Sequence, residues 1–416
     1  MGTLRNRCIP SRRISEAYRS QGSAFRIGIS RGNLGTLQND TSTPVCHPIG
    51  QIYVRPDMST LRRMHQDNMM HSSQTGTLMA SFEEEDGTTV NLCPRSLLCE
   101  VVSFLQTKHG LDLLVGFEIE ITFCRMEEGK LDSTFEPLDQ HAWSTFTDRQ
   151  YVNSFPLIMT IADALEDIGI EIEQTHSEAG AGQYEFVLPP LPPIQAVDTL
   201  VQAKQCIQQI AAANGLRATC HAQPFAGIGT ACHANISLHS RGSNETLEKQ
   251  QMQFMAFVLA HLSGLCAITM PEAVSYVRVS DDSWTSGSWV AWGTQNRETP
   301  LRRIAALDGS SARWEVRCLD GMGNMYLAMY VILRAGLQGL ADGTEMGLRD
   351  CQSEFKLRPD TKIDLQLNAV QEIHQVCLSR KGWIWASASG CLRRLKRAWE
   401  CSEEITHFGK LLAGRS

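Results

Sequence analysis

Four stretches of this chain alternate apolar residues with residues that could do chemistry. Side chains alternate across a strand, so residues two apart share a face. In residues 114–123, Phe117, Ile119 and Ile121 form an apolar row, and Glu118 and Glu120 stand side by side on the opposite face. Adjacent carboxylates repel unless a cation lies between them, although a solvated strand face also tolerates the pair. The pattern recurs. Gln183 and Glu185 share a face in residues 182–188, with Glu178 just before the Gly180–Gly182 turn. His233, Asn235 and Ser237 share a face in 232–238, and Arg313, Glu315 and Arg317 in 313–317. On one curved sheet these strands would bring five Glu and one His together with several Arg. Such oxygen-rich sets select hard divalent cations, Mg2+ or Mn2+. Arg binds phosphate and carboxylate bidentately. Metal, carboxylate and Arg together are the parts of a phosphoryl-transfer site. A lone His233 would ordinarily be a core histidine. No Walker A loop or kinase Gly-rich loop is present, and the Gly-x-Gly pieces at 180–182, 227–229 and 321–323 lack dinucleotide spacing.

Helices must carry these strands. Apolar periodicity and terminal glycines predict helices over 96–109, 157–168, 194–214, 246–265 and 326–340. The stretch Met252 to Met270 carries no charge across 19 residues. With Gln253, His261, Ser263 and Gly264 inside it, it reads as a buried core helix rather than a membrane span. Residues 46–95 read as a small β or α+β unit, with short strands at 51–55 and 77–82 and an acidic turn at 83–87. Residues 1–45 hold seven Arg, no Lys, and only Glu16 and Asp40 as acids. That composition suits a mitochondrial transit peptide, and equally a disordered tail. The basic tract at 391–397, near Trp383, Trp385 and Trp399, could touch nucleic acid. A solvated helix explains it more simply.

The composition narrows the classes further. The chain has 416 residues, 43% of them hydrophobic and 20% charged, with a net charge of -7. These values describe a globular protein of two or three modules and exclude a generally basic nucleic-acid binder. The 14 Cys form no Cys-x-x-Cys pair, so zinc fingers and thioredoxin-like chemistry fall away. The expectation is a cytoplasmic protein, with mitochondrial import as the alternative and no membrane or nucleic-acid partner.

The motifs resemble the glutamine synthetase family, in its bacterial-type class I branch. They are Gly116–Glu120, Glu178–Glu185, Gly229–Leu238, Ser275–Arg278, Trp292–Arg297, Arg313–Arg317 and Gly323–Ala328, in order over residues 94–345. The resemblance implies an α+β glutamine synthetase fold. A truncated β-grasp N-terminal domain (46–93), behind a disordered or atypical tail (1–45), would precede a catalytic domain (94–416). That domain would have a curved antiparallel sheet flanked by helices, and matches poorly after about residue 350. The family phosphorylates the γ-carboxylate of glutamate with ATP, and ammonia then displaces the phosphate. Two or more Mg2+ or Mn2+ organise the reaction. By carry-over, Glu120, Glu178 and Glu185 would hold one metal, and Glu118, His233 and Glu315 the second. Gly229, Arg278 and Arg317 would bind substrate. Arg278, Arg297 and Arg317 would act in catalysis. Asn235, Ser237, Arg297, Arg302 and Arg313 would face the nucleotide. The family forms stacked six-membered rings, so a homo-oligomer with sites between subunits is expected.

The chain also departs from the family. Where typical members carry a flap glutamate that binds ammonium, this chain has Trp284, with Asp281 and Asp282 nearby but offset. This resembles the divergent glutamine-synthetase-like branch of fungi and plants. An aromatic wall suits an organic amine better than ammonium. Gln223, Ile228 and Asn235 replace the usual Lys, Asn and second His. The early β-grasp has no match in residues 1–45. Three readings follow: glutamine synthesis, γ-glutamylation of another amine or polyamine, and a catalytically impaired regulator that kept the fold.

Overall fold

The computed structural model describes residues 4–36, 41–42, 48–64, 75–126, 135–240, 244–279, 284–305 and 312–352. Asp281, Asp282, the basic tract at 391–397 and the catalytic-domain span after residue 352 lie outside the described residues.

The N-terminal unit contains α1 (Ser11–Gln21), β1 (Ile27–Ser30), β2 (Gln51–Pro56), β3 (Arg62–Arg63), β4 (Gly76–Thr77) and β5 (Ala80–Glu83). Strands β1, β2 and β5 make an antiparallel sheet in that order, with Ile29 opposite Ile52 and Val54 opposite Phe82. The domain boundary expected at residue 45 therefore falls inside one sheet. Residues 1–45, expected to be a disordered or atypical tail, supply α1 and β1. The physical reason is a four-residue alternation. Ile27 and Ile29 are half-buried while Gly28 and Ser30 are exposed. Ile29, Leu34 and Phe82 pack on the buried Ile52, Val90 and Cys93.

The larger unit runs through α2 (Pro94–His109), β6 (Leu111–Met126), β7 (Phe135–Pro137), α3 (Asp148–Asn153), α4 (Phe155–Asp167), β8 (Gln174–Ser177), β9 (Gln183–Val187), α5 (Pro193–Ala213) and β10 (Leu216–Thr219). It continues through β11 (Cys232–Ser240), α6 (Asn244–Ala260), α7 (Leu262–Thr269), α8 (Ala273–Arg278), β12 (Trp292–Thr294), β13 (Leu301–Ile304), β14 (Arg313–Val316) and α9 (Met325–Asp342). Nine strands form one sheet in the order β12-β13-β14-β11-β6-β9-β8, with β7 and β10 paired to β6. Every pairing is antiparallel except β12 with β13. Strand β6 is the spine, and its residues Phe117, Ile119, Ile121 and Phe123 are at most 1% exposed. Helices α2 and α5 pack against β6, and α9 packs against both α2 and α6. Gly336 makes the last contact close: a Cβ there would lie 2.1 Å from the Phe254 ring on α6. The fold is α+β with a mostly antiparallel sheet flanked by helices, as expected.

The uncharged stretch read as one helix over 246–265 is broken at His261, and its two parts bend by 76°. The His261 ring stacks on Phe257 with centroids 4.1 Å apart, and its Nδ1 donates to the Phe257 carbonyl at 3.0 Å. That side-chain bond competes with the helical backbone bond at this carbonyl. No single helix among the described residues is long and apolar enough to cross a membrane.

One buried guanidinium joins the two units. Arg95, at the start of α2, donates Nε to Asp198 Oδ1 at 3.0 Å and Nη2 to Asp198 Oδ2 at 2.7 Å. Nη2 also reaches Asp57 Oδ2, from the N-terminal unit, at 2.6 Å. Tyr326 on α9 donates its hydroxyl to the same Asp198. Burial opposes the Arg95 charge, but Asp198 and then Asp57 outweigh it, so its proton is held more tightly than usual. Beside it, Arg62 donates to Gln202 Oε1 at 2.8 Å, and Gln202 donates to the Thr60 carbonyl at 3.0 Å. Removing one partner from a buried ion pair costs about 3–5 kcal/mol, because the remaining charge stays desolvated. Asp198→Ala should therefore destabilise the chain by that amount in urea titration. A loss below about 1 kcal/mol would show that solvent replaces the pair.

Candidate active site

Strand register assembles the site. On β6, Glu118 lies opposite His233 of β11, and Glu120 lies opposite Glu185 of β9. Asn235 of β11 lies opposite Glu315 of β14, which in turn lies opposite Arg302 of β13. Glu185 also lies opposite His176 of β8. Side chains of paired residues point to the same face, so six strands present one continuous polar surface. The apolar face of β6 is turned away into the core. The tight approach at Glu178–Glu185 needs Gly182, whose φ is +66° and where a Cβ would lie 2.6 Å from the Phe123 carbonyl oxygen.

The contacts are dense. Glu118 accepts from Asn235 Nδ2 at 2.8 Å and lies 3.2 Å from His233 Nδ1. His233 Nδ1 is 3.4 Å from Glu315, and its Nε2 is 3.6 Å from Glu120. Glu120 accepts the Ala231 amide at 2.8 Å and Gln183 Nε2 at 3.2 Å. His176 Nε2 is 3.2 Å from Glu185, and its Nδ1 is 3.7 Å from Glu178. Among the described residues, two groups bring their ligand atoms within 4.8 Å of one another: Glu118, Glu185 and His233, and His176, Glu178 and Glu185. Neither compact group is a carried-over set as such: Glu185 sits in both, His176 joins the second, and Glu120 and Glu315 border them, 3.6 Å and 3.4 Å from His233. Spacing in the sequence did not single out His176. It lies two residues before Glu178 on the same alternation, which was the available signal.

Charge crowding sets the electrostatics. Burial pushes the Glu120, Glu178 and Glu185 carboxyls above their ordinary range, and neighbouring carboxylates add to it. Glu178 acts on Glu120, Glu185 on Glu178, and Glu118 and Glu120 on Glu185. Burial also opposes the Glu118 charge, but His233, Asn235 and Arg317 overcome it and hold Glu118 at about 2. The hydrogen bond from His176 to Glu185 raises His176 to about 9, against the opposing effect of burial. A buried surface that destabilises its own negative charge suits a bound cation.

The expected arginines divide. Arg302 Nη1 donates to Glu315 Oε2 at 2.9 Å, and Arg317 donates to Glu315 Oε1. Arg317 Nη2 also donates to the Trp284 carbonyl at 2.8 Å. Arg313 Nε donates to Asn235 Oδ1 at 3.1 Å. Arg278 is buried, pairs with Asp320 at 3.3 Å, and lies against Gly229, where a Cβ would be 2.9 Å from its Cγ. Asp320, three residues past Arg317, was not singled out from sequence. It also accepts the Ser275 hydroxyl. Arg297 is exposed on the loop after β12, with its guanidinium carbon 5.9 Å from the Trp143 ring centroid. Trp143 in turn packs edge-on to His176, with centroids 6.4 Å apart. Ser237 pairs with His239 at 3.0 Å, toward the exposed end of β11. Trp284 has φ +56° and is 67% exposed, and its amide donates to Glu298. The Nε atoms of Arg278, Arg302 and Arg317 are buried without a protein partner.

This strand order and polar face are those of the glutamine synthetase fold, and residues 91–376 match the family described as "Glutamine synthetase, catalytic domain". The chain belongs to that family. It is 35% identical over 364 residues to Protein fluG of Emericella nidulans, covering 86% of this chain and 40% of that protein. It is 28% identical over 362 residues to gamma-glutamylpolyamine synthetase GlnA3 of Streptomyces coelicolor, covering 83% of this chain and 74% of that one. The crystal structure of a novel glutamine synthase homolog superposes with a TM-score of 0.71 at 24% identity, covering 99% of this chain and 92% of that one. That likeness establishes the fold.

The raised pKa of Glu178 means its ionised form is disfavoured by folding. Linkage then requires that removing its charge near neutral pH stabilise the metal-free protein. Glu178→Gln should raise Tm in EDTA at pH 7.5 by about 2–4 °C, the response expected for about 1 kcal/mol in a domain of this size. An unchanged or lower Tm would mean that His176 already neutralises the cluster.

Proposed function

We propose that the chain is an ATP-dependent carbon–nitrogen ligase. It activates the γ-carboxylate of glutamate as γ-glutamyl phosphate and transfers the acyl group to ammonia. The observation that carries this reading is the single sheet face on which Glu118, Glu120, Glu185, His233 and Glu315 stand beside Arg302, Arg313 and Arg317. The donor set fits divalent cations, being carboxylates and imidazole crowded into a buried surface. Glu120, Glu178 and Glu185 would hold one cation, and Glu118, His233 and Glu315 the other. Bound Mg2+ or Mn2+ supplies neutralisation of charge between phosphate and carboxylate.

The chain's own residues do the rest. Glu315 braces Arg302 and Arg317 from opposite oxygens, so both guanidiniums are fixed before substrate arrives. Their unpartnered buried Nε atoms leave donors that an anion would satisfy. In the first step a γ-carboxylate oxygen of glutamate attacks the γ-phosphorus of ATP, and ADP leaves. In the second the amine nitrogen attacks the acyl carbon, phosphate leaves, and the amine proton passes to a carboxylate or to water. Arg278, held by Asp320 beside Gly229, and Arg317 would bind the substrate carboxylate. Asn235, Ser237, Arg297, Arg302 and Arg313 would face the nucleotide. The working form is a homo-oligomer with sites between subunits; a pure monomer in light scattering would undercut this.

A second reading rests on Trp284. Its indole is 67% exposed, and its carbonyl is bonded to Arg317. An aromatic face attracts organic ammonium groups through apolar and cation–π contact. A γ-glutamylpolyamine synthetase is among the relatives. This reading makes the acceptor an organic amine or polyamine.

The deciding experiment is glutamate-dependent ADP release with Mg2+ or Mn2+, run with ammonium and then with primary amines and polyamines. Turnover with ammonium supports glutamine synthesis. Turnover only with an organic amine supports the second reading. Silence with every acceptor, from a folded chain that still binds ATP, would mean a regulator that kept the fold. In an active chain, Glu315→Ala should lower turnover at least about 100-fold, as loss of a preorganised charge partner does. Retained turnover would show that Glu315 is outside the site.

A further inference from the structure

His176 lies outside the carried-over ligand sets, yet its ring is placed as a ligand's ring would be. Its Nδ1 is 3.1 Å from the Ser177 carbonyl, and a carbonyl can only accept, so Nδ1 carries the hydrogen. The other ring nitrogen, Nε2, hydrogen-bonds Glu185 at 3.2 Å and gives up its proton when a cation takes that place, while Glu178 lies 3.7 Å from Nδ1. A backbone carbonyl that takes the N–H of one nitrogen and leaves the other beside a carboxylate is the usual outer support of a metal-bound imidazole.

The ring is also held in place. Ser144 donates its amide to the Ser177 carbonyl at 2.8 Å, and the Ser177 hydroxyl donates to the Thr145 carbonyl at 3.0 Å. These bonds clamp the 142–145 loop to the end of β8. Trp143 on that loop packs edge-on to the imidazole at an interplanar angle of 80°. The ring therefore has an apolar wall on one side and the acidic pair on the other. Glu178 and Glu185 lie with it in one compact group.

We propose that His176 ligates, through Nε2, the divalent cation held by Glu178 and Glu185. This rests on the reading of the site as a metal-dependent ligase. An imidazole in this set makes it softer than an all-carboxylate one. Borderline ions such as Mn2+ then gain over Mg2+.

The test uses Mn2+ alone with the purified chain, without substrates. Isothermal titration should show Mn2+ bound by the wild type and bound about tenfold or more weakly by His176→Asn, the loss typical of disturbed ligation. Mg2+ affinity should fall less. The second readout is nitrogen coupling in pulsed electron paramagnetic resonance of bound Mn2+. In a His233→Asn chain the remaining imidazole coupling should come from His176, and it should vanish in the double variant. Mn2+ bound to His233→Asn with no nitrogen coupling would overturn the proposal, as would an unchanged Mn2+ Kd in folded His176→Asn. No Mn2+ binding by the wild-type chain would overturn the metal-dependent reading itself, a different outcome from either.

Discussion

The structure depends on keeping several carboxylates close together and largely out of water. Glu118, Glu120, Glu178, Glu185 and Glu315 crowd one side of a sheet whose other side is the core. Glu120, Glu178 and Glu185 would each prefer solvent or a proton. The fold resists that preference with strand register. Backbone pairing fixes which residues face each other, and the apolar rows of β6 and β14 prevent a slip. A one-residue shift would turn Phe117 and Ile119 outward and bury the acids in the core.

The cations of the chain are arranged around this constraint. Glu315 is fully enclosed and braces two guanidiniums, while Arg313 and Asn235 extend the network toward Glu118. Arg278 is held separately by Asp320. The guanidiniums are thus preorganised, and the Nε donors of Arg278, Arg302 and Arg317 are buried without a protein partner. Preorganised charge of this kind is the commonest large contribution to catalysis. The sheet also brings its ends toward each other. Trp143 stands beside His176 of the last strand and beneath Arg297, which follows β12 at the opposite edge.

Membership in the glutamine synthetase family narrows the chemistry without selecting the acceptor. The chain spans 40% of the Emericella nidulans relative and 74% of the Streptomyces coelicolor one.

Alternation made the acidic face legible, and the family resemblance supplied Gly229, Arg278, Arg297 and Arg302. Glu118 with Glu120, Gln183 with Glu185, His233 with Asn235, and Glu315 between Arg313 and Arg317 all follow from a period of two. The helices that carry the strands followed from apolar periodicity and their terminal glycines. Other features depended on residues far apart in the chain. Asp320 matters because Arg278 of α8 comes to it, and His176 because β8 pairs with β9. The break at His261 falls where the imidazole shares the Phe257 carbonyl with the backbone amide. The short strand at Ile27–Ser30 was hidden by arginine-rich surroundings and became stable only against Ile52. Local pattern determines which residues share a face. Which faces meet is decided by non-local pairing and packing, whose energies appear only once the whole sheet has closed on its core.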